Sequence, residues 1–184
     1  MQNAIINSPS PLEALGHGKA AWEEGVIARI QDLLEAFRAR SLPVVYVCTY
    51  TPRDAIFPAY GGFWAGAQEA KVNYMDTWDV EIIEELAAAP KEPVFYNWPF
   101  NVFEGTGLGE YLNSQEVETV VLTGVASGMS VGTAAWALAE RFYNLIVPSD
   151  TTTDGNRELH EAVMKWMMPA IGLVTTADDV IARL

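Results

Sequence analysis

The chain is short of cysteine, of basic residues and of long apolar runs, and each shortage removes a class of function. Cys48 is its single cysteine, so neither an internal disulfide nor a cysteine metal cluster is available to it. Lys and Arg together number 11 against 24 Asp and Glu, a net charge of -13 over 184 residues. A surface that acidic repels phosphate backbones and anionic headgroups, which argues against nucleic-acid and membrane roles. No apolar run approaches the roughly 20 residues of a membrane span. The opening MQNAIINSPSP has neither the basic segment nor the apolar core of a secretory leader, so a cytoplasmic location is expected. Histidine is scarce as well, with only His17 and His160.

What is present is the material of a core. Half of the residues are apolar, including 6 Trp, 7 Tyr and 7 Phe, and the length suits a single domain over residues 1–184. There is no internal repeat, low-complexity tract or linker. Residues 19–40 place Trp22, Val26, Ile27, Ile30, Leu33, Leu34 and Phe37 at three- and four-residue spacings, which predicts an amphipathic helix. Apolar strands are predicted near 43–50, 93–98, 119–125, 145–149 and 172–175. Helices are predicted over WDVEIIEELAAA (78–89), 107–113, 129–143, 156–168 and the C-terminal TADDVIARL. Thr176 is placed to cap that last helix, with Asp178 and Asp179 in its first turn. Thr106 or Asn101 is a candidate cap for the helix at 107–113. The stretch 52–76 is rich in Gly and aromatics and reads as a long irregular segment of functional or interfacial use. Continuous apolar strands alternating with helices predict a Rossmann-like, three-layer α/β/α domain with a mainly parallel sheet. Ligands in such sheets bind at the carboxyl ends of the strands, which draws attention to Thr49–Pro52, Asn97–Phe100, Gly124–Ser130 and Asp150–Asp154.

Gly128-Met129-Ser130-Val131-Gly132 matches the G-x-S-x-G elbow of serine hydrolases, and Asp150 or Asp154 and then His160 follow in the expected order. Against that reading, a true elbow serine leaves its strand directly, whereas Ser130 lies six residues beyond Gly124. His160 also falls inside a predicted helix instead of on a late loop.

The spacing of VVLTGVASGMSV resembles another signature, the strand–loop–helix of the isochorismatase-like cysteine hydrolases. That family includes nicotinamidases, N-carbamoylsarcosine-type amidases and isochorismatases. Its Gly-Val-Ala-(Ser/Thr)-x-x-Cys run is matched by Gly124, Val125 and Ala126, with Ser130 at the nucleophile position. NVFEGTGLGEYL is similar to a second family segment through Phe103, Gly105, Thr106 and Leu108. Gln2 and Asn3 resemble the end of an Asp-x-Gln-Asn motif. SDTTTD, LHEAVMKWM and the C-terminal segment follow in order, so the resemblance spans nearly the whole chain.

The resemblance implies a triad of Asp, Lys and Cys, and here the chain departs from it. The Asp would precede Met1, Asn97 stands at the Lys, and Ser130 stands at the Cys. A serine hydroxyl is a far weaker acid than a thiol and needs a base, and Asn97 provides neither charge nor proton transfer. Asn97 and Ser130 are therefore the candidate catalytic positions of an altered site. Gln2, Trp64, Trp98, Val125, Ala126 and Met129 are the candidate substrate-binding residues. The resemblance also implies a cis peptide at Val125–Ala126 and an oxyanion site at the start of the following helix. The nicotinamidase zinc ligands correspond to Thr49, Thr51 and Ala55, so no metal is expected, and no cofactor.

Three functions stay open: a hydrolase of amides or enol ethers with an altered site, a catalytically silent relative that binds a small ligand or a partner, and a serine hydrolase using Ser130. The family's first strand, which ends in the Asp, would also lie ahead of Met1, and a translation start further upstream is the expectation. A homo-oligomer is expected from exposed aromatics at Phe57, Tyr60, Phe63 and Trp64.

Overall fold

The computed structural model describes residues 1–56, 62–98 and 100–184. Its first elements are helices α1 (Asn3–Ile6), α2 (His17–Glu23) and α3 (Val26–Ala39), strand β1 (Tyr46–Thr49), helix α4 (Gly62–Glu69) and strand β2 (Val94–Asn97). Then come α5 (Leu108–Ser114), β3 (Thr119–Val121), β4 (Gly124–Val125), α6 (Ser130–Ala139), β5 (Asn144–Pro148) and β6 (Thr152–Thr153). The chain closes with α7 (Arg157–Ala162), α8 (Met168–Ile171), β7 (Leu173–Thr175) and α9 (Ala177–Ile181).

Every ladder is parallel: β1 with β2, β3 with β5 and β5 with β7, and β4 with β6. Parallel pairing needs long crossovers, and the helices provide them. The period-two alternation of β5 shows the layering. Leu145 and Val147 join the cluster formed with Leu108 and Leu112 of α5 and Val131, Ala135 and Leu138 of α6. Ile146, between them, packs instead with Leu33 of α3 and Ala177 and Val180 of α9. Helices thus cover both faces, the three-layer α/β/α arrangement that the strand pattern predicts. Val47 of β1 and Val120 of β3 pack on the first of these clusters, although among the described residues no ladder joins β1 to β3.

Several local expectations are corrected. The helix over 19–40 breaks at Gly25, whose φ of 71° takes the chain out of helical geometry. The strand over 119–125 changes partner midway, because Leu122 N–H still donates to Ile146 while Gly124 N–H donates to Thr151. WDVEIIEELAAA is not one helix but two 3-10 turns, Trp78–Val80 and Glu84–Leu86. Between them the backbone is drawn out to meet the N-terminus: Asn3 N–H donates to Glu81, Ile83 N–H to Met1, and Gln2 bridges Ile82. The helix from 157 widens to a π-helical segment over Val163–Met167 before Pro169, which has no N–H for a regular helix and crowds the carbonyl four residues earlier. Helix α5 starts from Gly107 without a side-chain cap; Thr106 Oγ1 takes the Leu108 N–H and Asn101 Oδ1 takes the Phe103 N–H.

The stretch 52–76, read as irregular, contains α4. Trp64 on that helix is not an exposed aromatic: it is 8% exposed, packed edge-on against Phe63 and 5.1 Å from the ring of Phe100. Phe63 is half-buried in the same trio. Phe57 and Tyr60 lie outside the described residues.

Candidate active site

The connection from β4 to α6 builds the floor of the site. The Val125–Ala126 peptide is cis. The Ala126 carbonyl accepts the N–H groups of Met129 and Val131, both at 3.1 Å, so the chain turns tightly and Ser130 becomes the first residue of α6. Gly132 allows that close approach, since a Cβ there would stand 2.8 Å from the Ser127 carbonyl oxygen.

The segment after β6 clamps this loop from behind. Asp154 accepts the Gly128 N–H through Oδ2 at 2.9 Å and the Asn156 N–H through Oδ1 at 3.0 Å. Ser127 donates its N–H to Thr153 and is fully buried. Its Oγ lies 3.0 Å from Nδ1 of His160. The bond His160 makes is therefore to Ser127, three residues before the serine that an elbow mechanism needs. Burial holds the His160 pKa below its ordinary value, with Glu24 the main opposing influence.

Ser130, Met129, Ala126 and Val125 open on a cavity of ≈ 80 Å³ whose lining also includes Gln2, Thr49, His17, Phe63 and Phe100. Five of the eight residues expected at the site thus share one cavity. Gln2 is there, but its amide is engaged within the fold: Oε1 accepts the Thr49 N–H, and Nε2 donates to the carbonyls of Thr49 and Val80. These bonds occupy the edge of β1 that faces away from β2. Trp64 backs the aromatic wall made by Phe63 and Phe100. Asn97 ends β2 directly opposite Thr49, buried, with Nδ2 donating to the Asn101 carbonyl. It and the partly exposed Trp98 are not among the described lining residues.

Sequence reasoning missed several lining residues, among them Met1, Ile5, Val47 and His17, and of these four only His17 has a titratable side chain. It heads α2, far from the signature loops, and reaches the site because its Nδ1 accepts the Gly155 N–H at 2.9 Å. Asp154 Oδ1 stands 3.7 Å from the same nitrogen. Burial lowers the His17 pKa, and the nearby Asp154 only partly offsets this. The sequence-level signal was mere scarcity, one of two histidines in the chain. Cys48 is an inert core residue, 1% exposed, its thiol pKa pushed up by burial.

Residues 1–179 match the family model described as the Isochorismatase domain. N-carbamoylsarcosine amidase of Arthrobacter sp is 31% identical over 134 residues, 71% of this chain. The match spans 50% of that relative's length. An isochorismatase family protein from Burkholderia thailandensis is 29% identical with a TM-score of 0.72, covering 85% of this chain and 81% of its own. The fold is also that of an isochorismatase-like hydrolase from Alkaliphilus metalliredigens, with a TM-score of 0.81 at 23% identity over 100% of this chain and 94% of the other. With a family model covering nearly every residue, the chain belongs to the isochorismatase family of hydrolases.

Proposed function

We propose that the cavity headed by Ser130 hydrolyses the C–N bond of a small amide with an altered set of side chains. One observation carries the reading: Ser130 is the first residue of a ten-residue helix and lines a cavity beside the Val125–Ala126 turn. The first turn of any helix presents N–H groups that have no partner within the helix. Such groups stabilise an oxygen that gains negative charge as a carbonyl is attacked. In the reaction proposed, the Ser130 hydroxyl oxygen bonds to the carbonyl carbon and its proton leaves to water. The C–N bond then breaks as the amine takes a proton, and a water molecule cleaves the resulting ester. Asn97, which ends the neighbouring strand outside the described lining, carries no charge and transfers no proton in this scheme. With no strong base assigned, the expected turnover is slow. The name of the Arthrobacter relative, an amidase, favours an amide over an enol ether.

The test is ammonia release from a panel of small amides by the chain and by Ser130→Ala. Slow release above background that disappears in Ser130→Ala supports the proposal. Release that persists at the same rate in that variant places the chemistry elsewhere. A second reading, a catalytically silent ligand-binding protein, is favoured by the neutral, buried Asn97 at the position of the family's Lys. Ligand binding without any ammonia release would establish it. No helix among the described residues is long and apolar enough to cross a membrane. A cytoplasmic, self-associating protein acting on small molecules is part of the proposal.

A further inference from the structure

We propose that the groove beside the end of α6 is a second ligand site, which takes a free aromatic α-amino acid in its zwitterionic form. It lies at the opposite end of the strands from Ser130. Glu118 precedes β3 and Asn144 opens β5. With Asn113, Arg141, Phe142 and Tyr143 they line a volume of ≈ 630 Å³, within the range of small-molecule sites. The sequence that closes α6 is costly for the fold. Phe142 N–H donates to Ala139 and Tyr143 N–H to Leu138, the paired bonds of a helix-ending turn. Such a turn puts one residue in left-handed backbone, and that residue is usually Gly. Phe142 holds the place with a φ of 63° and keeps its side chain 94% exposed. Burial therefore returns nothing for the backbone strain of a bulky residue there. Such a ring has a use only if something packs on it.

The charges around the groove select the ligand. Arg141 is held in place from within the fold: its Cζ sits 4.1 Å over the Phe103 ring, and Nη1 donates to the Ala137 carbonyl at 3.0 Å. Phe103 in turn stacks on Tyr143, with 6.4 Å between centroids and 11° between planes. A planar guanidinium fixed this way keeps Nε and Nη2 for a carboxylate. Among the described residues Arg141 enters no ion pair, although the chain carries 24 acidic residues. The opposing charges are Glu118 in the same lining and the exposed Glu110, Glu116 and Glu140, each next to a lining residue in sequence. A simple anion would meet all four, together with a net charge of -13. A simple cation would be repelled by Arg141 and leave its donors unused. A zwitterion suits both signs: its carboxylate lies on Arg141, its ammonium on Glu118, and its ring on Phe142 and Tyr143. None of these contacts involves Ser130 or hydrolysis.

The experiment titrates L-phenylalanine by saturation-transfer NMR at pH 7.5 against three fragments of it. These are 3-phenylpropionate without the ammonium, phenethylamine without the carboxylate, and L-alanine without the ring. The wild type is expected to bind L-phenylalanine about five-fold or more tightly than each fragment. Phe142→Gly suits the left-handed backbone, so its melting temperature should rise by about 2–4 °C while L-phenylalanine weakens about five-fold. Arg141→Met keeps an unbranched stem over Phe103; it should weaken L-phenylalanine about five-fold and leave phenethylamine no weaker. Glu118→Gln should weaken L-phenylalanine and leave 3-phenylpropionate no weaker. Thermal melts show which variants are folded, and the exposed Phe142 and Glu118 changes decide the matter if Arg141→Met is not. Ser130→Ala should bind L-phenylalanine as the wild type does, whatever its ammonia release. The proposal is overturned by a wild type that does not bind L-phenylalanine, or by a fragment that binds as tightly. Unchanged affinity in Phe142→Gly or Glu118→Gln, or binding lost in Ser130→Ala, would place the ligand elsewhere and overturn it too. So would an oligomer that Phe142→Gly dissociates in sedimentation, since the ring would then belong to a contact between copies.

Discussion

At the residue scale, the two histidines link pH to stability. Burial lowers the pKa of both His17 and His160 in the folded chain, while the unfolded value is about 6.5. The folded state therefore binds fewer protons than the unfolded one as pH drops below that value. The stabilisation is complete above about pH 6.5 and is lost progressively toward the lowered folded pKa. His17→Asn keeps an acceptor near the Gly155 N–H and removes one titrating group. The melting temperature of the wild type, taken relative to His17→Asn, is expected to be flat above pH 7 and to decline below about 6.5. A difference that grows in favour of the wild type on acidification would reverse the sign and refute the assignment. Ser130 makes a separate prediction. Ser130→Cys puts a thiol at the start of α6, where the helix end favours thiolate, so iodoacetamide should add one carbamidomethyl group per chain, read by mass spectrometry. The wild type should stay unmodified, because Cys48 is buried and its thiol pKa is raised. An unlabelled Ser130→Cys would show that Ser130 does not face an accessible cavity.

At the element scale, the site depends on how closely α6 approaches the loop before it. Gly132→Ala would bring a Cβ to 2.8 Å from the Ser127 carbonyl oxygen and 3.3 Å from Met167 Cε. The first of these is backbone and cannot rotate aside. A loss of about 1–3 kcal/mol in urea denaturation is expected, together with reduced alkylation of the introduced thiol when the change is combined with Ser130→Cys. Equal stability and equal labelling would mean that the helix is free to slide. The elements that sequence reasoning placed well are those whose cause is local. Thr176 accepts the Asp179 N–H three residues on and caps α9 as predicted, and the apolar strands announce themselves by their own side chains. The failures have distant causes. Residues 78–89 have helical composition, but pairing with Met1–Asn3 draws their middle out. Trp64 reads as a surface aromatic until Phe100 is packed on it. The site divides the same way. Ser130, Val125, Ala126 and Met129 came from one contiguous motif, whereas His17 enters through a bond to Gly155 across 138 residues, a contact no spacing rule announces.

At the scale of the whole molecule, the excess of 24 acidic over 11 basic residues opposes compaction. Most ion pairs do little against it, since pairs such as Arg29–Asp178 and Arg157–Glu161 are largely solvent-exposed, where the typical contribution is small. Arg38 with Glu92 differs in having one well-covered partner, since Glu92 is 11% exposed although Arg38 is 37% exposed. Its Nε and one terminal nitrogen each lie 2.8 Å from a Glu92 oxygen, and the same guanidinium reaches the Ala87 carbonyl. That bidentate bond lowers the Glu92 pKa and ties α3 to the segment entering β2. Added salt screens long-range repulsion among exposed carboxylates more than it screens this close contact, as the Debye length falls from about 30 Å at 10 mM to about 10 Å at 100 mM. Stability at pH 7.5 is therefore expected to rise over that range by about 1 kcal/mol, or about 2–4 °C in melting temperature for a chain of this size. Arg38→Met should lower the melting temperature at both salt concentrations and leave the upward salt trend in place. A melting temperature that falls with salt in the wild type would mean that attractive pairs outweigh the net repulsion, and the acidic surface would then be a network of contacts instead of a cost.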